Sequence, residues 1–515
     1  MTAPQPSVRQ RLCSALALCT LALSGTLAAQ DAAVEAPTEA EAQAASNWRE
    51  GLEFSRHELT LGERTLAYRA TTGTMQLREE DGSPRADMFF VAYTLDEQDS
   101  ATRPVTFCFN GGPGSSSVWL HMGAWGPRRV RMPEDPVTPA PPFGVEDNPF
   151  SLLVDSDLVF IDPVTTGYSR AAEGVDDSDF HGVNEDIDAV AEFIRLWTTR
   201  FERWSSPKFL AGESYGTTRA AGLASRLQDQ HGMSLNGIVL VSSILNFQTA
   251  RFDAGNDLPY PLFLPTYTAT AWYHGRLAPD LQSGELSAAL EASQEFALGE
   301  YTSALALGDR LPADRAASVA AQLARLTGLS EDYLVRSHLR PVIHEFCKEL
   351  QRDEAESTGR LDSRFTGHDA DGVGSGTDYD PSYSAIVGPF TAGLNAYLRG
   401  ELGYENDLPY EILTGRVHPW NYGNGNRYVD TADRLRSAMS KNPSLKVFVA
   451  NGYYDLATPY FATEYTISHM ALPAALRDNV SMAYYEAGHM MYIHEPSAAK
   501  LAADLSAFYA SASTH

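Results

Sequence analysis

Gly212-Glu213-Ser214-Tyr215-Gly216 places one serine inside the pattern G-x-S-x-G. A short apolar run, "KFLA", precedes it and an Ala-rich helical stretch follows. That context is a strand, a sharp turn and a helix, with glycines where flanking side chains would collide with the backbone. Such a bend lifts a hydroxyl above a sheet, at a helix N-terminus that favours developing negative charge. A serine hydroxyl attacks only when a base takes its proton, and the base must be oriented by an acid. Chain order in elbow enzymes is serine, then acid, then histidine. Asp455 in "NGYYDLATP" and His489 in "YYEAGHMMY" supply both in that order, each just after a strand-like run. His469 and His494 compete for the role of base, but neither follows a strand so directly.

A second stretch, "FNGGPGSSS" from Phe109 to Ser117, follows the apolar run "PVTFC". Ordering three glycines is costly, so a bare backbone here needs a purpose. Beside an elbow, its N–H groups suit an oxyanion, with the N–H of Tyr215 as one donor and the Gly111-Gly112 loop supplying the other. The chemistry implied is acyl transfer through a serine ester, with no metal and no cofactor. The "DADG" at residues 369–372 is a poor calcium loop, because the later ligand positions fail, and reads as a solvated turn.

These groups need a sheet to bring them together. Residues 55–98 alternate apolar and polar positions and predict antiparallel strands. Beyond them, "VTFCF", "DLVFI", "KFLA", "GIVLV", "KVFVA" and "VSMAYY" are short apolar runs separated by amphipathic segments. Residues 184–199 put Ile187, Val190, Ala191, Ile194 and Trp197 on one helical face. This alternation predicts an α/β fold with a mostly parallel sheet. The strand rhythm stops between about 246 and 440, where helical patterns take over. The expected layout is therefore a core at 49–245 and 441–515, interrupted by a mainly helical cap insertion at 246–440.

The chain has 515 residues, 43% hydrophobic and 20% charged, with a formal net charge of −27. That charge argues against nucleic acid, whose binding relies on Lys and Arg at phosphates, and against anionic lipid. Residues 1–29 read as a signal peptide: Arg9 and Arg11, an apolar run too short to span a bilayer, then small residues before Gln30. Residues 30–48 are acidic and Ala-rich, and read as a disordered leader. The expectation is an exported protein, periplasmic or secreted, with no membrane insertion. Removal of the signal leaves Cys108 and Cys347, which could pair or remain as buried free thiols, the second being preferred.

Taken in order, "NGGPGSSS", "NPFSLLVDSDLVFIDPVTTGYSR", "GESYG", "NGYYDLATP" and "AGHM" resemble the serine carboxypeptidases, an α/β-hydrolase family, and suggest a bacterial member. The resemblance implies Ser214 as nucleophile, His489 as base and Asp455 as its orienter, with Gly112 and Tyr215 as the oxyanion hole. It also implies that Asn110, the N–H of Gly111 and Glu213 hold the C-terminal carboxylate of a peptide. A protonated Glu213 can donate to a carboxylate, which fits that task. Met490 matches the family as well.

Three positions depart from the family. A second carboxylate-binding Glu is replaced by Ala124, a Trp by Cys108, and a Cys after the glycines by Ser115. Arg128, Arg129 or His121 could take over the substrate carboxylate, although surface or structural roles are the plainer reading. The expected activity is removal of C-terminal residues from peptides. The alternative is an esterase or acyltransferase using the same triad, suggested by Ala124 and by the aromatic-rich "DLPYPLFLPTYTATAWYH" at residues 257–274, which could line an apolar pocket.

Overall fold

The computed structural model describes residues 51–423 and 425–513. The expected signal peptide and leader therefore lie outside the described residues. Three long strands open the fold: β1 (Leu52–Leu61), β2 (Arg64–Arg78) and β3 (Pro84–Leu95), paired antiparallel in sequence. Six more strands continue the same sheet: β4 (Val105–Phe109), β5 (Asp157–Ile161), β6 (Lys208–Ser214), β7 (Gly237–Ser243), β8 (Lys446–Gly452) and β9 (Val480–Tyr485). Their spatial order is β1-β2-β3-β5-β4-β6-β7-β8-β9, and the last six run parallel.

Every residue of β4, β5 and β7 is buried, as expected for strands covered on both faces. Helices α1 (Val183–Arg200) and α2 (Tyr215–His231) pack on each other and on the sheet, and α1 buries Ile187, Val190, Ile194 and Trp197 along the face read from the sequence. The chain leaves β4 for β5 on one side and returns to β6 on the other. That reversal opens a crevice beyond the carboxyl ends of β4 and β6, where parallel sheets hold their ligands. Phe109 pairs with Gly212 at that edge, so the glycine-rich loop and the elbow emerge side by side. With a sharp turn at Ser214 between β6 and α2 and a mostly parallel sheet flanked by helices, this is the α/β-hydrolase fold.

Between β7 and β8 lies a block of helices with its own apolar core. Helix α3 (Pro259–Tyr273) is buried nearly all round, packing Phe263 and Tyr267 against Phe346 and Leu323. The aromatic-rich segment 257–274 is thus core structure, and none of its residues lines the active-site cavity described below. Helix α4 (Pro381–Gly400) sends Tyr383 and Ile386 toward that cavity instead. Asp369 of the "DADG" segment is neutralised from within, by the Lys348 ammonium at 2.7 Å. Among the described residues no helix is long and apolar enough to cross a membrane.

Candidate active site

Ser214 ends β6 with φ +60°, a strained conformation for a residue with a side chain. The glycines around it have no room for a methyl group. A Cβ on Gly212 would lie 2.2 Å from the Gly216 carbonyl oxygen, and one on Gly216 would lie 2.6 Å from that of Phe109. Thr217 and Thr218 fasten the bend to the next strand: the Thr217 hydroxyl donates to Ser214 O at 2.7 Å, and the Thr218 hydroxyl to Ile244 O at 2.6 Å.

His489 and Asp455 meet on the neighbouring loops. His489 Nδ1 lies 2.7 Å from Asp455 Oδ2, and Asp455 is fully buried. The other Asp455 oxygen accepts the N–H groups of Ala457 and Thr458 at 2.8 and 3.0 Å, and the Thr458 hydroxyl donates to Oδ2 at 2.7 Å. With Nδ1 committed to Asp455, Nε2 is the nitrogen left for the cavity that His489 and Ser214 share. Burial alone would pull His489 down, but the Asp455 carboxylate, helped by Glu213, holds it above the ordinary histidine value. The backbone of the histidine is pinned on both sides: its N–H donates to Leu361 O and its carbonyl accepts the Ser242 hydroxyl, each at 2.7 Å.

Gly111 sits over the start of α2 so closely that a Cβ would be 2.3 Å from the Tyr215 nitrogen. Only glycine allows this approach. The Gly112 N–H has no acceptor among the described residues, and Tyr215 opens a helix whose first N–H groups have no intrahelical partner. Two donors therefore stand beside the serine where an oxyanion would form.

Next to Ser214, Glu213 is buried and receives a hydrogen bond of 2.5 Å from the Tyr492 hydroxyl. Burial pushes its carboxyl up to about 7, while His489, Tyr492 and Asn110 pull the other way. Asn110 is fixed by its two oxygens: Oδ1 accepts Leu120 N–H at 3.0 Å and the backbone carbonyl accepts Arg219 at 2.6 Å. Its buried Nδ2 meets no acceptor in good hydrogen-bond geometry among the described residues, although it lies near enough to Glu213 to favour the ionised carboxyl. The cavity holding these groups measures about 370 Å³, and Trp119, Tyr383, Ile386 and Leu413 form its apolar walls.

The structure thus gathers Asn110, Gly111, Gly112, Glu213, Ser214, Tyr215, Asp455 and His489 at one place. It puts the three replacement candidates elsewhere. Arg128 is paired with Asp147 and Glu401, and Arg129 with Glu146 at 2.9 Å. His121 is buried against Phe160, 2.6 Å from the Tyr93 hydroxyl, and burial pushes it down to about 3. His469 and His494 bond to Tyr465 O and Ser497 and take no part in the cavity. Sequence reading missed two residues. Arg219, 1% exposed, ties Asn110 O to Asp186 Oδ2, and an arginine within an Ala-rich buried helix face was the available signal. Tyr492 had no local signal beyond standing three residues after the histidine.

Residues 62–292 match the family model for serine carboxypeptidases. Over those residues the chain is similar to the serine carboxypeptidases. It is 26% identical over 178 residues to serine carboxypeptidase-like 45 of Arabidopsis thaliana, covering 33% of this chain and 36% of the relative. It is 27% identical over 187 residues to carboxypeptidase Y homolog A of Talaromyces stipitatus, covering 35% and 31%. The lysosomal protective protein of Mus musculus is 25% identical over 191 residues, covering 37% and 35%. The chain therefore spans about a third of the length of these relatives. Among solved structures, a lipase in its open form aligns over 86% of this chain and all of its own, at 14% identity and TM-score 0.35.

Proposed function

We propose that this protein is a serine carboxypeptidase, removing C-terminal residues from peptides through an acyl-enzyme on Ser214. The observation that carries the reading is the pairing of a buried, readily protonated Glu213 with the Asn110 amide, directly beside the nucleophile. Neutral Glu213 and Asn110 can each donate a hydrogen bond to a carboxylate, and the Gly111 N–H adds a third donor. A peptide held by its C-terminus there would present its last amide bond to Ser214.

Ser214 Oγ attacks that carbonyl while His489 Nε2 takes the hydroxyl proton. The oxyanion is held by the N–H groups of Gly112 and Tyr215. His489 then gives the proton to the leaving amine, and a water activated by the same nitrogen releases the acyl group. Asp455 keeps the imidazole oriented and stabilises its charged form. Residues 1–29, read from the sequence as a signal peptide, support a site of action outside the cytoplasm, in the periplasm or beyond.

An esterase or acyltransferase would use the same steps, and the apolar walls of the cavity favour it. Hydrolysis of peptides with a free C-terminus, of the same peptides amidated and of simple esters separates the two. Free-acid peptides should be cleaved at least tenfold faster than amidated ones. Equal rates would remove the carboxypeptidase reading. Ser214→Ala should lower hydrolysis of every substrate by about 10⁴-fold or more while leaving the thermal midpoint within a few degrees. Residual turnover within tenfold of wild type would refute Ser214 as the nucleophile.

A further inference from the structure

Arg360 is the one lysine or arginine among the residues lining the cavity. It is half-buried, and its guanidinium has neither an ion-pair nor a hydrogen-bond partner among the described residues. Arg364, four positions on, shows the contrast: it grips both oxygens of Asp362 and donates to Glu486 O. In a chain of net charge −27 an unpaired cation at the reaction cavity is conspicuous on electrostatic grounds alone.

Its backbone is held tightly. Arg360 N–H donates to Asp380 Oδ1 at 3.1 Å, and its carbonyl accepts Leu456 N–H at 3.1 Å, immediately after Asp455. The next residue, Leu361, donates to the Ser382 hydroxyl at 3.1 Å and accepts the His489 N–H at 2.7 Å. Arg360 is therefore stitched between the loops that carry the acid and the base, and only its side chain is free to move. The charged groups around it are His489, which its positive charge pulls down, with Asp455 and Glu213 acting in the opposite sense. Asp380 is committed to capping α4, where it accepts the N–H of Ser382. Tyr383 and His418 are the remaining titratable groups on the cavity wall.

Partial desolvation of a guanidinium without a partner is unfavourable, and a ligand carboxylate relieves it through two parallel hydrogen bonds. Asn110, Gly111 and Glu213 already account for the peptide's terminal carboxylate in the function proposed above, on which this inference rests. A second anion is then needed to match Arg360. We propose that Arg360 is a specificity-determining residue that binds the side-chain carboxylate of an Asp or Glu adjoining the scissile bond, so that acidic peptides are preferred substrates.

The test is a series of blocked dipeptides carrying Glu, Gln, Leu or Lys at either side of the scissile bond. It is run beside methyl esters of blocked Glu, Gln, Leu and Lys, whose hydrolysis needs no terminal carboxylate. Wild type should favour Glu over Gln by about tenfold or more in kcat/KM, at one or both positions. Arg360→Gln should bring that ratio to within about twofold while Gln and Leu substrates stay within threefold of wild type. Arg360→Lys should restore part of the preference, and Arg360→Glu should turn it toward Lys. A uniform loss on all substrates, or an unchanged preference for Glu, would overturn the proposal. Failure on every dipeptide with an acidic preference kept on esters would instead overturn the carboxypeptidase reading and leave Arg360 standing.

Discussion

Glu213 and Tyr492 share one contact from which a pH dependence of the proposed activity follows. The Tyr492 ring lies over Gly123, where a Cβ would come within 2.6 Å of its Cε2, beside the Ala124 that replaces the second carboxylate-binding Glu of the resembling family. Burial raises the Glu213 carboxyl to about 7, so the protonated state, the one proposed to donate to a substrate carboxylate, is lost as pH rises through this value. KM for free-acid peptides should therefore climb above pH 7, while KM for esters stays flat. The hydrogen bond from Tyr492 favours the ionised form, so Tyr492→Phe removes a brake on protonation. The onset of the climb should move up by about one pH unit, since a hydrogen bond to a charged group contributes roughly 1.5–3 kcal/mol and one unit corresponds to about 1.4. Kinetics on matched peptide and ester pairs from pH 5 to 9 read this directly. A peptide profile identical in wild type and Tyr492→Phe would exclude the coupling.

At the scale of elements, the loop after β4 and the bend after β6 form one unit, and glycine is what lets them touch. In Gly111→Ala the new methyl would lie 2.3 Å from the Tyr215 nitrogen and 2.7 Å from that of Gly216, both backbone atoms that cannot swing away. The loop must retreat and take the Gly112 donor with it. We expect kcat on esters to fall by about 10²–10³-fold, the effect of losing one oxyanion donor, with near-native circular dichroism. Activity within fivefold of wild type would mean that the loop does not hold the oxyanion. The unit was legible in the sequence because its demands are local: a strand, three glycines, a serine between glycines, a helix. The same holds for "VTFCF", "DLVFI" and "VSMAYY", whose limits match β4, β5 and β9 residue for residue. Helix α3 was hidden because burial on all sides removes the 3.6-residue period, and two internal prolines blur its start. Arg219, Arg360 and Tyr492 were hidden for another reason. Each meets its partner across more than ninety residues, on Asn110, on Leu456 beside Asp455 and on Glu213, and no spacing rule reports such meetings.

Across the whole molecule, two separate apolar cores carry stability without a covalent tie between them. Cys108 belongs to the core that packs the sheet, and Cys347 to the core of the helical block, and both are free and buried. Burial pushes the Cys108 thiol well above its usual range and Cys347 up to about 12, so neither is appreciably ionised at neutral pH. Since the thiolate is the reactive species, both cysteines should be inert in the native state, which suits a chain proposed to work where oxidants are abundant. In native buffer, a chromogenic thiol reagent should therefore label less than a tenth of either cysteine over an hour. In denaturant both should react within minutes, giving two alkylations on a protein lacking residues 1–29. A reductant should leave the melting temperature of that protein unchanged, because no bridge joins the cysteines among the described residues. Conversely, a reductant-dependent drop of several degrees, or rapid labelling of the native protein, would mean that at least one thiol is paired or exposed, and that the two cores are not closed as described.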